Sequence, residues 1–326
     1  MPKVSVVVPC YNEQETIGLL LKAIGEQDYP LDKLEVVIAD GLSTDRTRDV
    51  ITEHSNQYPQ LNVQIVDNPK RIIPAGVNTA IMASEGEVII RLDAHSMPYP
   101  DYVSRCVYDL QEKLGDNVGG QWEIKPGGDT WQAVSIAEAA RHPLAVGDAR
   151  YRVGGKAQAV DTVPFGAYYR TLIDRVGLLD ESLETNEDYE FNARIRKAGG
   201  TVWFDPSIRS VYFSRGDLTS LARQYWRYGY WKMRMLRRHP KTFRWRQLAG
   251  VFVLSLLVLA LLGLLIKLAW WLLLLEIGIY TIILIGTGVQ LAMKKKNASL
   301  ALGGPLAIAT MHFSWGTGFL WGLVNI

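Results

Sequence analysis

Asp93 and His95 stand two positions apart where an apolar run ends, and a carboxylate and an imidazole at that spacing can share one divalent cation. Val88, Ile89, Ile90 and Leu92 have the β-branched and aliphatic character of a strand buried in a sheet, and Met97-Pro98 and Tyr99-Pro100 end regular structure just beyond. Alternation across the strand end puts Asp93 and His95 on one side, so a cation shared by them can also take phosphate oxygens. An acid and a histidine at an ordinary strand-to-loop turn look the same in isolation, and the tripeptide alone leaves both readings open. Farther along, Glu187, Asp188 and Glu190 crowd the first turn of a helical stretch, where negative charge suits the helix dipole.

The elements that must position these groups alternate between strand and helix. A buried run at 4–8 gives way to a turn at Tyr11-Asn12-Glu13 and a helix at 15–27 whose Ile17, Leu20, Leu21 and Ile24 share a face. A strand at 34–39 closes on Asp40-Gly41-Leu42-Ser43-Thr44-Asp45, followed by a helix at 47–58, a strand at 63–66, a helix at 75–84 and the strand at 87–92. This alternation predicts an α/β domain with a mostly parallel sheet, whose ligands gather at the carboxyl ends of the strands. Tyr11, Asp40 and Asp93 all fall at such ends, and one crevice can hold them. After a helix at 102–114 the pattern loosens through Gly119-Gly120 and Gly127-Gly128, with a helix near 130–140, a loop at 142–155 and extended structure at 157–166. Helices are expected at 168–176 and 187–198, short strands at 201–204 and 210–213, and a long helix at 218–238 with basic and aromatic residues suited to a membrane interface.

Composition then breaks. The chain of 326 residues carries a formal net charge of +2, too small to argue for nucleic acid, but beyond residue 246 charge is confined to Lys267, Glu276 and Lys294 to Lys296. Stretches 247–266 and 268–293 each exceed or reach the roughly 20 apolar residues that a spanning helix needs. A weaker third, 306–324, follows Gly303-Gly304-Pro305 and contains His312, so a broken or re-entrant helix is its alternative. Arg234, Arg237, Arg238, Lys241, Arg244 and Arg246 precede the first span and Lys294 to Lys296 follow the second, which by the positive-inside rule puts both ends in the cytoplasm and the hairpin near Lys267 outside. The same charges suit an anionic membrane surface. The N-terminus lacks the basic and apolar pattern of a secretory signal, so the charged region is expected to stay cytoplasmic. There Cys10 and Cys106 remain reduced. The expected domains are 1–215, an interfacial region at 216–246 and a membrane region of two to three helices at 247–326.

Val-Val-Val-Pro-Cys-Tyr-Asn-Glu at 6–13, Ala-Asp-Gly-Leu-Ser-Thr-Asp at 39–45, Asp93-Ala94-His95, Asn-Glu-Asp-Tyr-Glu at 186–190 and Gln-Tyr-Trp-Arg-Tyr at 224–228 occur in the order and spacing of a known family. Over residues 3 to 240 the chain resembles family 2 glycosyltransferases. The run Val-Asp-Thr-Val-Pro-Phe-Gly at 160–166, the segment 224–232 and the Asp-Ala-His variant look most like the bacterial succinoglycan-type exopolysaccharide glucosyltransferases. The resemblance implies a GT-A-type nucleotide-binding domain followed by an interfacial helix and C-terminal transmembrane helices.

It also implies roles. Pro9, Tyr11 and Glu13 would line a uridine pocket, although an Asn-Glu pair is equally an ordinary cap before a helix. Asp40 would accept the uracil imide proton or ribose hydroxyls, with Gly41 leaving room. Asp93 and His95 stand at the family's Asp-x-Asp motif with histidine in place of the second acid, and an imidazole shifts the expected cation from Mg2+ toward Mn2+. Asp93 on the donor sugar with His95 alone on the metal is the other apportionment. Asp188 would be the general base that takes the acceptor proton during inverting attack; its neighbour Glu187 would meet acceptor or diphosphate, with a dipole-favoured first-turn acid the simpler role. Gln224 and Arg227 share a helix face and, with Trp226, would meet diphosphate and acceptor, unless they form an interfacial belt. Asn78 would brace the donor, Arg71 a phosphate, and Gly147, Arg150 and Arg152 the phosphates of a lipid acceptor, each also readable as an ordinary solvated residue. Glu276 and His312 would face another helix or a headgroup pocket.

The implied activity is transfer of a hexose, glucose by resemblance, from a UDP-sugar to a lipid-linked saccharide, with a divalent cation (Mn2+ or Mg2+) and no nucleic-acid partner, at the cytoplasmic membrane face. A processive polysaccharide synthase is an alternative, weakened by the few spans and by Tyr228 where such relatives carry Trp. A catalytically inactive nucleotide-sugar-binding scaffold is another, opposed by the presence of Asp40, Asp93 and Asp188.

Overall fold

A computed structural model describes residues 1–325, and the chain divides into two compact units, Met1–Glu123 with Ala149–Tyr212 and Ile124–Asp148 with Phe213–Ile326. In chain order the elements run β1 (Val4–Cys10), α1 (Ile17–Gly25), β2 (Leu34–Asp40), α2 (Thr47–Gln57), β3 (Asn62–Asp67), α3 (Ile73–Ala83), β4 (Val88–Arg91), β5 (Ser96–Pro98), α4 (Tyr102–Gln111) and β6 (Asn117–Lys125). Then come α5 (Trp131–Ala139), α6 (Pro143–Val146), α7 (Arg150–Val153), β7 (Gln158–Ala159), β8 (Ala167–Tyr169), α8 (Thr171–Val176), α9 (Glu187–Lys197) and β9 (Val202–Phe213). Helices α10 (Leu218–Arg238), α11 (Ala249–Gly263), α12 (Lys267–Lys295) and α13 (Leu300–Val324) complete the chain.

The first unit is built on a nine-stranded sheet of order β3-β2-β1-β4-β8-β6-β9-β5, with β7 paired to β9. Its first four strands are parallel, with Val6 level with Val36 on one side and Ile90 on the other. From β4 onward the pairing turns antiparallel, Ile90 meeting Ala167. The parallel order expected from the β-α alternation therefore describes one half of a mixed sheet. Continuous apolar runs in β1, β2 and β4 reflect burial on both faces, and Val7, Val37 and Ile89 join Ile81, Leu172 and Phe204 in the core.

Differences from the sequence reading have physical causes. The stretch around Gly119-Gly120, where the apolar pattern loosens, is the interior of β6, because a Cβ on Gly119 would sit 2.7 Å from the Val163 side chain and one on Gly120 only 1.8 Å from the Ile208 carbonyl. Glycine there reports crowding rather than a turn. Tyr168, expected in a helix, pairs with Ile89 in β8. Strand β9 is one element through Pro206, which falls between its ladders to β7 and β5 and splits the apparent signal. The expected loop at 142–155 contains α6 and α7, each ended by a positive-φ glycine, Gly147 and Gly154.

The second unit packs around α13. Ile136, Leu221, Tyr225, Leu284, Ile308 and Met311 form its core. A Cβ on Gly318 would come within 2.1 Å of the Trp226 carbonyl and one on Gly229 within 2.0 Å of the Trp315 carbonyl, so small residues let α10 and α13 touch backbone to backbone. Pro305 lies inside α13 without breaking it, and the helix runs uninterrupted where a broken one was the alternative. Arg237 Nη2 donates to the carbonyls of Gly322 (3.0 Å) and Leu323 (2.8 Å) and closes the end of that helix. Among the described residues two helices, Trp245–Gly263 and Lys267–Lys295, are long and apolar enough to cross a membrane.

Candidate active site

The turns after β1 and β2 are stitched together. Asn12 adopts φ 53°, its N–H donates to Ser43 Oγ (2.9 Å), and its side-chain oxygen accepts from the Thr44 N–H (2.9 Å). The Glu13 N–H donates to Thr47 Oγ1 (2.8 Å). A Cβ on Gly41 would stand 3.1 Å from the Tyr11 ring, so glycine lets the turns close. Tyr11 remains 44% exposed with the Arg71 guanidinium 5.7 Å from its ring centroid, and Pro9 is half-buried against Gly76.

Two residues expected at the donor are engaged by the protein. Asp40 is fully buried, its carboxylate accepting from Arg48 Nε (2.6 Å), Ser43 N–H (3.1 Å) and Ser43 Oγ (2.5 Å), while Arg48 also pairs with Asp67. A carboxylate so engaged fixes the loop 41–47. Asn78 is buried too, donating to the Leu179 carbonyl (3.0 Å) and Glu181 Oε1 (3.1 Å) and accepting from the Leu179 N–H (2.9 Å). Both ends of its amide brace residues 179–181.

Beyond β4, His95 Nδ1 lies 3.1 Å from Glu13 Oε1, and Glu13 Oε2 accepts from Thr16 Oγ1 (2.5 Å). Burial pushes the Glu13 carboxyl up, but the His95 and Thr16 hydrogen bonds outweigh it and the net shift is downward. An ionised carboxylate only accepts, so the His95 Nδ1 that faces Glu13 carries a proton, and a histidine oriented by a carboxylate in this way is a common support for metal ligation. Asp93, half-buried, takes Arg91 Nη2 at 3.2 Å. Among the described residues no group of three or more His, Cys, Asp or Glu side chains converges as a metal cage. A cation held by Asp93 and His95 alone would therefore need most of its ligands from phosphate oxygens and water.

Helix α9 starts after Asn186, held at φ 67°, and its first turn supplies the remaining acids. Glu187 is buried and pairs with Arg91 Nη2 at 2.9 Å. Burial, which the Arg91 charge opposes and Asp188 reinforces, pushes its carboxyl up to about 7. Asp188 is half-buried, with Oδ1 accepting from the Tyr189 N–H (2.7 Å), and burial raises its carboxyl against the pull of Arg91. Sequence reasoning passed over Arg91. The signal was present: it is the single charge in Val88-Ile-Ile-Arg-Leu, a run buried throughout, and a buried charge needs partners.

In the second unit Gln224 Nε2 donates to Tyr228 Oη (2.9 Å), Trp226 stacks on Tyr230 with centroids 5.5 Å apart, and Arg227 is exposed. Gly147 packs against Arg246. Glu276 accepts from Ser255 Oγ at 2.6 Å, and His312 lies between Tyr280 Oη (3.0 Å) and the Leu144 carbonyl (2.9 Å), so both face other helices. In the first unit Arg150 Nη1 reaches the Gly154 carbonyl (3.2 Å), while Arg152 is buried with its guanidinium 5.1 Å from the Trp122 ring centroid.

Residues 5–177 match the sequence profile described as glycosyl transferase family 2. The chain is 31% identical to succinoglycan biosynthesis protein ExoA of Rhizobium meliloti (strain 1021), across 96% of this chain and 93% of that protein. It is 27% identical to the dolichyl N-acetyl-alpha-D-glucosaminyl phosphate 3-beta-D-2,3-diacetamido-2,3-dideoxy-beta-D-glucuronosyltransferase of Methanococcus voltae, across 99% and 97%. Among solved structures, the mannosyltransferase PcManGT from Pyrobaculum calidifontis, in complex with GDP-Man and Mn2+, aligns with a TM-score of 0.64 at 21% identity over 98% of this chain and 87% of that one. S. aureus TarS 1–349 in complex with UDP-GlcNAc aligns with a TM-score of 0.53 at 15% identity over 98% and 92%. The fold is GT-A-like.

Proposed function

The chain belongs to glycosyl transferase family 2 and is a glycosyltransferase, and from that premise we propose an inverting, metal-dependent reaction. It moves a hexose, glucose foremost, from a UDP-sugar to a polyprenyl-diphosphate-linked saccharide at the cytoplasmic membrane face, as a step of exopolysaccharide biosynthesis. The observation that carries this reading is the acid group linked through Arg91: Asp93 at the end of β4 and Glu187, beside Asp188, at the start of α9. This linkage supports a reading in which donor-side acid and base belong to one unit.

Tyr11 and Pro9 offer a surface for the nucleoside, and the loop that Asp40 fixes closes it. Asp93 and His95 would hold a divalent cation, Mn2+ or Mg2+, which stabilises the negative charge that develops on the leaving diphosphate. Glu13 keeps the His95 ring in the tautomer for that role. The acceptor hydroxyl oxygen bonds to the anomeric carbon as the bond from that carbon to the diphosphate breaks and its electron pair leaves with UDP. Asp188 takes the hydroxyl proton, and its raised carboxyl makes it a stronger base once ionised. In-line attack inverts the anomeric centre.

The finer terms have separate supports. The relative ExoA is named for succinoglycan biosynthesis and the Methanococcus voltae relative for a dolichyl phosphate sugar, which favours a lipid-linked acceptor and a polysaccharide product. Mn2+ accompanies GDP-Man in the mannosyltransferase of similar fold, which favours a cation. Helices α11 and α12, flanked by basic residues, favour attachment to a membrane with those residues in the cytoplasm. Gln224, Trp226 and Arg227 on α10 are assigned to acceptor and diphosphate.

The test is sugar transfer by the purified full chain in lipid nanodiscs, from a panel of UDP-sugars and GDP-mannose to a synthetic polyprenyl-diphosphate hexose, with Mn2+ and Mg2+ compared. One added hexose from a UDP donor is the expected product. Binding of UDP without transfer to any acceptor would leave the inactive scaffold as the reading, and long products from a single acceptor would make the chain a processive synthase.

A further inference from the structure

Arg91 joins two acids from distant parts of the sequence through a single nitrogen. Its Nη2 lies 3.2 Å from Asp93 Oδ1 and 2.9 Å from Glu187 Oε1, while Nε and Nη1 are buried with no hydrogen-bond partner among the described residues. The side chain is only 9% exposed and rises from β4, whose residues are all buried.

A guanidinium that served only to neutralise a buried glutamate would gain most by turning its fork edge-on and using two parallel donors. Here the fork's other donors are idle, at a cost for each buried unpaired group, and contact is concentrated on the nitrogen that both acids share. Asp93 sits in the turn after β4, and Glu187 follows a loop that ends in left-handed Asn186. Arg91 itself is anchored in β4, which pairs with β1 on one side and β8 on the other.

We propose that Arg91 is a positioning residue for the transfer reaction: one buried guanidinium refers both the diphosphate-side acid Asp93 and the α9 turn bearing Asp188 to strand β4, setting their separation. This rests on the functional reading given above. Precise support of reacting groups by buried neighbours is what holds a site to the narrow geometry that catalysis needs. The effect falls on turnover, because the donor can still bind when the base is misplaced, whereas attack requires both ends in register.

The test is Arg91→Lys in the full-length protein, with transfer kinetics and thermal unfolding measured together. Lysine keeps the buried charge but has a shorter reach and no planar fork. The expected result is a kcat lower by about tenfold or more, a donor KM within about threefold of wild type and an almost unchanged unfolding temperature. Full turnover in Arg91→Lys would reduce Arg91 to a structural counter-charge and overturn the inference. Should Arg91→Lys fail to fold, the double variant Arg91→Met with Glu187→Met removes the buried pair at similar volume. A folded double variant with kcat still depressed by about tenfold supports positioning, and one restored to within about threefold of wild type overturns it. If the wild-type chain itself transfers no sugar, the functional reading falls and takes this inference with it; an active wild type beside an undiminished Arg91→Lys removes this inference alone.

Discussion

Glu13 and His95, 82 residues apart in sequence, meet at 3.1 Å between Oε1 and Nδ1, joining the turn after β1 to the turn after β4. The contact decides what the imidazole can offer. In the proposed site the Nδ1 proton held by this acceptor would make Nε2 the ligand atom, and the neighbouring Asp93 would add a harder oxygen donor.

His95→Asp is therefore expected to keep measurable transfer while its preference moves from Mn2+ toward Mg2+, because an oxygen-only pair suits the harder ion. Rates across a titration of each metal check this. Glu13→Gln should weaken metal-dependent activation by about tenfold, the usual cost of removing a histidine's orienting carboxylate. Activity indifferent to chelators in wild type and variants alike would take the metal out of the mechanism.

Asp188→Asn removes the base, and transfer is expected to fall by about 10²- to 10⁴-fold with UDP affinity retained, as measured by calorimetry beside a product assay. Retention of full transfer would exclude Asp188 as the base.

Glu187 adds a pH signature in stability. Burial holds its carboxyl at about 7 in the folded chain, with Arg91 opposing and Asp188 reinforcing, against an ordinary value of 4.5. Between those values the folded state binds the proton that the unfolded state has released, so stability from this group is complete at low pH and is lost as pH rises toward 7. Glu187→Gln should flatten the fall in unfolding temperature across that window. An unchanged slope would show that the carboxyl is ionised throughout.

Much of this site is legible in the amino-acid sequence alone. The β-α alternation through residue 92, the strand end at Asp93 and the acids opening α9 follow from short-range periodicity and helix electrostatics, which act within a few residues. The partners of Asp40 and Asn78, Arg48 and the Leu179 backbone, are decided by how loops fold back, and residue type cannot say whether a buried acid or amide is already engaged. Arg91 was recoverable from its burial in an apolar run, but its pairing with Glu187 is a tertiary fact. The antiparallel half of the sheet was obscured for a similar reason: glycine in β6 and proline in β9 answer to neighbours across the sheet.

Gly120 gives that last argument a measurable form. A Cβ there would lie 1.8 Å from the Ile208 carbonyl, and backbone cannot swing aside, so Gly120→Ala is expected to destabilise by about 3 kcal/mol or more. A Cβ on Gly25, the last residue of α1, would meet nothing within 4 Å, and Gly25→Ala should be neutral or stabilising by about 0.5 kcal/mol. Chemical denaturation of both variants separates the cases; equal midpoints would mean that β9 can move away from β6 freely.

Membrane topology supplies the last prediction. Helices α11 and α12 are joined at 264–266 beside Lys267, and basic residues lie at the opposite ends of the pair. Retaining that positive charge in the cytoplasm puts the short connection on the far side. Single cysteines at Lys241 and Lys267 probe the two ends, since Cys10 and Cys106 are buried and should label slowly. In intact cells a membrane-impermeant maleimide is expected to label Lys267→Cys and to reach Lys241→Cys only after permeabilisation. The reverse pattern would put the catalytic unit on the wrong side of the membrane for a cytoplasmic UDP-sugar, and labelling of neither site in permeabilised cells, with the protein present, would bury both ends and contradict a hairpin that crosses and returns.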